Sequence, residues 1–159
     1  MAKKIEPAKS NIKIVVVNKK ASHNYHLMER FEAGLILVGS EVKSLRDAKV
    51  NLTDGYARIK DGEAWLESVH ISEYPMANIQ NHVPTRRRKL LLNRSELNKL
   101  IGKTQEKGLT LIPTKIYFKE GRAKVEIALA KAKKLFDKRE EMKKKEANKY
   151  MSRELKSKR

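Results

Sequence analysis

Cysteine is absent from the 159 residues, which excludes disulfides and thiolate metal sites. Aromatic residues are scarce, with one tryptophan, five tyrosines and three phenylalanines. That is too few for a broad stacking platform for single-stranded nucleic acid. No apolar run approaches the ~20 residues of a membrane-spanning helix, and no apolar signal segment follows the charged start "MAKKIEPAKS". A cytoplasmic location is therefore expected. Acids are also in short supply. Against 37 lysines and arginines stand 19 aspartates and glutamates, a formal net charge of +18. Such an excess calls for a polyanion, with nucleic acid ahead of an anionic membrane surface.

What is present is unevenly distributed. Lys131 to Arg159 hold 13 bases and 5 acids, or +8 in 29 residues, while the preceding 130 residues carry +10. The chain thus divides into a loose basic leader (1–11), a folded domain (12–130) and a basic tail (131–159). The tail has no glycine or proline and is rich in helix formers. Its apolar residues Leu135, Met142, Tyr150, Met151 and Leu155 form no narrow seam. A coiled coil is disfavoured, and isolated helicity in water is marginal.

In the folded part, β-branched "IKIVVV" (12–17) reads as a strand. "YHLMERFEAGLILVG" reads as an extended segment bending near Gly34, with a helical alternative for "HLMERFEA" that periodicity leaves open. "SEVKSLRDAKV" predicts a short helix with Ser40 as N-cap, Val42, Leu45 and Ala48 inward, and Lys43, Arg46 and Lys49 outward. Two hairpins are signalled, by Asp61-Gly62 and, more weakly, by Glu120-Gly121. Between them, Asn93 and Glu96 have capping-box spacing ahead of the stripe Leu97, Leu100 and Ile101, and Gly108 supplies a stop. Several short strands with two to three flanking helices predict a mainly β fold: a small closed antiparallel barrel of OB type.

Motifs for catalysis are lacking. There is no phosphate-cradling glycine loop and no zinc-protease helix, and Ser40-x-x-Lys43 stands without the companion motifs of serine–lysine enzymes. His23 and His26 have no further ligand cluster to make a metal site. His23 with Tyr25 suits stacking and hydrogen bonding to an unpaired base. Of Tyr117 and Phe118, which alternate along a strand, one is expected in the core. Arg86 to Lys89, four consecutive bases, read as a phosphate-gripping cluster or as a solvated loop. The composition favours recognition of folded RNA by shape and backbone, with no enzymatic activity and no cofactor.

Four stretches in consistent order, "FEAGLILVGSEVKSLR", "DGEAWL", "RRRKLLLN" and "GRAKVEIALAKAKKLFDKRE", resemble the small protein B (SmpB) family, bacterial partners of transfer-messenger RNA. The resemblance implies an OB-type barrel that binds the tRNA-like domain of that RNA. It implies a role in rescuing stalled ribosomes by trans-translation, with the tail becoming helical in the vacant messenger channel. Carried over by position, the RNA face includes His23, Glu32, Leu91, Asn93 and Lys124, with Tyr25, Lys43 and Arg46 beside it. Glu32 would accept hydrogen bonds from RNA donors, although composition alone suggests a salt bridge to Arg30. Asn93 has two readings, helix cap and base contact.

The resemblance further implies contact with the ribosomal decoding centre through Lys133, Lys134, Phe136, Asp137, Lys138 and Arg139. The 70S ribosome is the implied partner, with alanyl-tRNA synthetase and elongation factor Tu reached through the RNA by a monomeric protein. Ala132 stands where relatives often have glycine, and Phe136 where they often have tyrosine or histidine. The other function these features allow is a structural ribosomal or ribosome-assembly protein.

Overall fold

The computed structural model describes residues 11–157; the leader expected over 1–11 lies almost wholly outside them. Nine strands and four α-helices follow in chain order. They are β1 (Ile12–Val17), α1 (Lys19–Asn24), β2 (Tyr25–Leu35), α2 (Gly39–Arg46), β3 (Val50–Asn51), β4 (Tyr56–Lys60) and β5 (Glu63–Glu67). Then come β6 (His70–Ile71), β7 (Arg88–Leu91), α3 (Arg94–Thr104), β8 (Leu109–Lys119), β9 (Arg122–Ala132) and α4 (Leu135–Ser157).

Seven strands form one antiparallel sheet in the order β1-β8-β4-β5-β7-β2-β9, and β8 also pairs with β9. The sheet therefore nearly closes into a ring. Its weakest joint is β4–β8, where a single pair, Ala57 with Leu111, bridges the strands. A short β3–β6 ribbon stands apart. Of the expected mainly β, closed barrel, the antiparallel sheet is present and nearly closes. The helix content exceeds the expectation, and the architecture is mixed, with four helices around a nearly closed sheet.

The ring exists because alternate residues on each strand are apolar. Ala33, Leu66, Leu90, Leu111, Ile116, Val125, Ile127 and Leu129 fill its interior, capped by Leu45 of α2 and by Leu97 and Leu100 of α3. Both turns have the backbone that their glycines signalled, with positive φ at Asp61 and Gly62 and at Glu120 and Gly121.

The extended reading of "YHLMERFEAGLILVG" holds, since "HLMERFEA" is strand: pairing with β9 from Tyr25 to Gly34 outweighs its helix propensity. Other local expectations are corrected. α2 begins at Gly39, and the Glu41 carboxylate, not Ser40, accepts the Val38 N–H at 3.0 Å. Ala48 is exposed at φ 56°, in the turn after the helix. α3 ends at Thr104, so Gly108 shapes the entry to β8 instead of stopping the helix. As expected, one of Tyr117 and Phe118 is in the core, although both are buried. Phe118 joins the core, whereas Tyr117 lies on the outer face with Lys115 Nζ 5.6 Å from its ring centre.

The tail is helical from Leu135 to Ser157, with no buried residue in that helix. The family pattern implies helix formation on binding. Here the unbroken run of helix formers is anchored at its first turn, where Asp137 accepts the Lys134 N–H at 3.3 Å.

Candidate nucleic-acid interface

Strand register builds the site. One row of partners runs Ile14, Tyr117, Lys124, Gly34 and Leu91 across five strands; a second runs Val17, Lys115, Glu126 and Glu32. Between them lie Val16, Ile116, Val125 and Ala33, which turn inward to the core. The outer face of β1, β8, β9 and β2 therefore carries lysines, two acids and one tyrosine. Gly34 opens a notch in it, since a Cβ there would meet Leu91 Cβ at 3.3 Å. A cleft of about 350 Å³ results, lined by Gly34, Leu91, Phe118, Arg122 and Lys124 among others.

The two acids of this face are not equivalent. Glu126 accepts from Thr114 Oγ1 at 2.7 Å and pairs with Lys115 at 3.1 Å and Arg30 at 3.2 Å; its side chain is 17 % exposed. Burial pushes its carboxyl up, but those three donors outweigh burial and hold it below the usual range. Glu32 is 39 % exposed. It accepts the Tyr117 hydroxyl, and Lys119 Nζ lies 3.2 and 3.3 Å from its two oxygens, with Lys124 Nζ at 3.9 Å. The Tyr117 hydrogen bond, followed by Lys119 and Lys124, holds the Glu32 carboxyl below its ordinary value. Burial and the facing carboxylate push the Tyr117 hydroxyl well up. Arg30, suggested by composition as the partner of Glu32, pairs with Glu126 instead.

The predicted site residues fall into separate groups. Glu32, Leu91 and Lys124 meet on the outer face. Asn93 follows β7 at the start of α3, exposed, and its side chain makes no capping bond; the cap is its carbonyl, which accepts Leu97 N–H at 2.9 Å. Tyr25 opens β2, about 23 Å from Glu32 at ~3.3 Å per residue, and His23 precedes it in α1. Tyr25 lines a second cleft of about 440 Å³ with Asn18, Lys20, Asn24 and Tyr56. Lys43 and Arg46 are exposed on α2, where Lys43 Nζ sits 5.3 Å from the Tyr74 ring centre.

The root of the tail joins the His23–Tyr25 end. Lys133 donates its backbone N–H to Asn24 O at 2.9 Å and its ammonium to Ser22 O at 2.7 Å and Glu141 at 2.6 Å. His26 Nε2 lies 3.7 Å from Asp137. Lys134, Phe136 and Arg139 are exposed and Lys138 half-buried. Among the described residues no group of three or more histidines and acids could hold a metal ion.

The basic run Arg86–Lys89 is not a solvated loop, and its members are unequal, with Arg87 alone exposed. Arg88 is fully buried, bonded to Glu41 Oε1 at 2.8 Å and to the carbonyls of Val69, Arg86 and Pro84. Arg86 reaches the same Glu41 at 2.6 Å, Arg87 lies 3.6 Å from Glu67, and Lys89 pairs with Glu63. Burial raises the Glu41 carboxyl, but Arg86, the Val38 N–H and Arg88 outweigh it, so its pKa falls below the usual range.

The sequence reading missed Tyr117 and Lys119. Their signal was available in "KIYFK", where Lys115, Tyr117 and Lys119 recur at every second residue and so share a strand face.

The SmpB protein family model matches residues 15–157. The chain belongs to the SmpB family. A relative in Desulforudis audaxviator, an SsrA-binding protein, is 56% identical over 146 residues, covering 92% of this chain and 95% of its own. The SsrA-binding protein of Enterococcus faecalis is 53% identical, covering 92% of this chain and 96% of its own. A solved chain described under "tmRNA-SmpB: a journey to the center of the bacterial ribosome" superposes with a TM-score of 0.65 at 50% identity. It covers 76% of this SmpB-family chain and 85% of its own length. No helix among the described residues is long and apolar enough to cross a membrane.

Proposed function

We propose that this SmpB-family chain is a non-catalytic adaptor that binds SsrA (transfer-messenger) RNA and acts with the ribosome in trans-translation. The observation that carries the reading is the end-to-end similarity to SsrA-binding proteins, above 50% identity over more than nine-tenths of both chains. In this reading the ring is an OB-type barrel. Its outer face, with Glu32, Leu91 and Lys124, and the exposed Asn93 engage the tRNA-like domain. His23, Tyr25, Lys43 and Arg46 extend the contact. Alanyl-tRNA synthetase and elongation factor Tu are reached through the RNA, and the protein acts as a monomer.

The tail acts on the ribosome. At 1.5 Å per residue, a helix of 23 residues spans about 35 Å, long enough to probe whether a messenger channel is empty. Lys133 and Asp137 fix its root, while Lys134, Phe136, Lys138 and Arg139 face the decoding centre. The test is binding of purified protein to the tRNA-like domain against bulk tRNA at rising salt, with tagging of stalled peptides as the second readout. Salt-resistant preference for the tRNA-like RNA supports the adaptor. Equal binding to both, with constant presence on translating ribosomes, supports a structural ribosomal protein instead.

A further inference from the structure

We infer that Tyr117 is a positioning residue for RNA recognition: it holds Glu32 ionised and aimed outward while Lys119 and Lys124 leave that carboxylate for RNA phosphates. The inference rests on the proposed RNA role of the outer face and names how that face reads its ligand.

The argument starts from the occupancy of the Glu32 oxygens. A carboxylate has about four acceptor positions. In the free chain Tyr117 takes one on Oε2, and Lys119 reaches both oxygens at 3.2 and 3.3 Å. Lys124, at 3.9 Å, makes no hydrogen bond. Tyr117 and Lys119 thus leave Glu32 only partly open to an RNA donor. The three partners are held very differently, however. Tyr117 is 5 % exposed, its ring fixed between β1 and β9 and covered by Lys115. Lys119 and Lys124 are partly exposed ammonium groups on flexible stems, at distances long for a charge-assisted bond. A phosphate competes for such cations and releases counterions as it does so. It does not reach the Tyr117 hydroxyl, which is buried with its ring and directed at Glu32.

RNA binding is then an exchange. The lysines turn to phosphates, the oxygens that they vacate accept donors from a base edge or a ribose hydroxyl, and Tyr117 keeps the carboxylate in place. The neighbouring acid cannot substitute, since Thr114, Lys115 and Arg30 occupy Glu126. The charged groups facing Glu32 are Lys119 of β8 and Lys124 of β9, with Glu126 as its register partner and the Arg30 and Lys115 cations engaged by Glu126.

The sign of the pH dependence follows. Glu32 has a depressed pKa, so the acceptor is present above that value and is lost as pH falls through it. Losing the Tyr117 bond raises the pKa and moves the loss of cognate binding to higher pH. General polyanion binding runs the other way, because acid makes the protein more positive.

The experiment uses the full chain and its Tyr117→Phe variant, with the tRNA-like domain of transfer-messenger RNA as probe and bulk tRNA as competitor. Carbon NMR of the Glu32 carboxyl is recorded across pH without RNA. The variant, which keeps the ring and its packing, should bind cognate RNA about tenfold more weakly with bulk tRNA binding unchanged. The acid limb of cognate binding and the Glu32 titration should both move to higher pH. An unmoved Glu32 titration overturns the inference whatever the RNA does, as does equal weakening of both RNAs. If wild type shows no preference for the tRNA-like RNA while the Glu32 titration still moves, the proposed function fails and the carboxylate-holding role of Tyr117 stands.

Discussion

Glu41 illustrates how a residue that looks like helix-surface charge becomes an organising centre. It sits at the third position of α2, fully buried, and joins the Val38 N–H to Arg86 and Arg88. Removing one partner of a buried pair leaves the other charge uncompensated, at a cost of about 3–5 kcal/mol. We expect Glu41→Gln to lose stability on that scale in urea melts; a midpoint within error of wild type would show that Arg88 finds its compensation elsewhere. The pH dependence has a definite sign. Because the folded carboxyl is depressed, its contribution is complete above the unfolded glutamate pKa of about 4.3 and drains away as pH falls through the folded value. Acid unfolding monitored by tryptophan fluorescence should therefore be less steep in Glu41→Gln than in wild type. Spacing cannot foretell this role, because nothing local distinguishes Arg88 from Arg87; the fold alone sends one inward and leaves the other exposed.

Among the elements, α4 is the one that its own sequence most nearly specifies. It buries nothing, so propensity and its first turn account for it. Asp137 is half of a capping box, accepting the Lys134 N–H, and it also faces His26. Replacing Asp137, Lys138 and Arg139 by alanine removes one net positive charge and this anchor. We expect tagging of stalled peptides to collapse while binding to the tRNA-like RNA persists. Amide exchange in the first turn of α4 should accelerate, reflecting a cap worth about 1 kcal/mol. The control replaces Lys156, Lys158 and Arg159, the last two outside the described residues. Comparable damage there would mean that the tail acts through charge alone. The hairpins were equally legible, since Gly62 and Gly121 have positive φ, 72° and 76°. The strand from Tyr25 was legible only as one of two readings, because a segment that can form either structure is decided by its partner, here β9.

For the whole molecule, ring and tail should separate. β9 runs to Ala132, with Ala130 fully buried, so a cut that spares the strand is placed after Ala132. A chain ending at Ala132 keeps every core residue and a net charge of +11, from 25 bases and 14 acids. It should melt cooperatively within a few degrees of the full chain and retain its preference for the tRNA-like RNA. Bulk RNA binding should weaken and rescue should be lost. Unfolding of the truncated chain would show that the bonds from Lys133 to Ser22 and Asn24 are essential to the ring.

Composition, periodicity and turn chemistry by themselves determined the polyanion partner, the two hairpins, the apolar stripe of α3 and the helix-forming bias of the tail. These depend on total charge and on residues a few positions apart. Tertiary structure alone decided which charges meet. Tyr117 and Glu32 are 85 positions apart, and Arg88 and Glu41 are 47. Burial and partnership at that separation are set by strand register and ring closure. For that reason one arginine in a run of four bases became a buried brace, while a face of alternating lysines and one tyrosine became the candidate site.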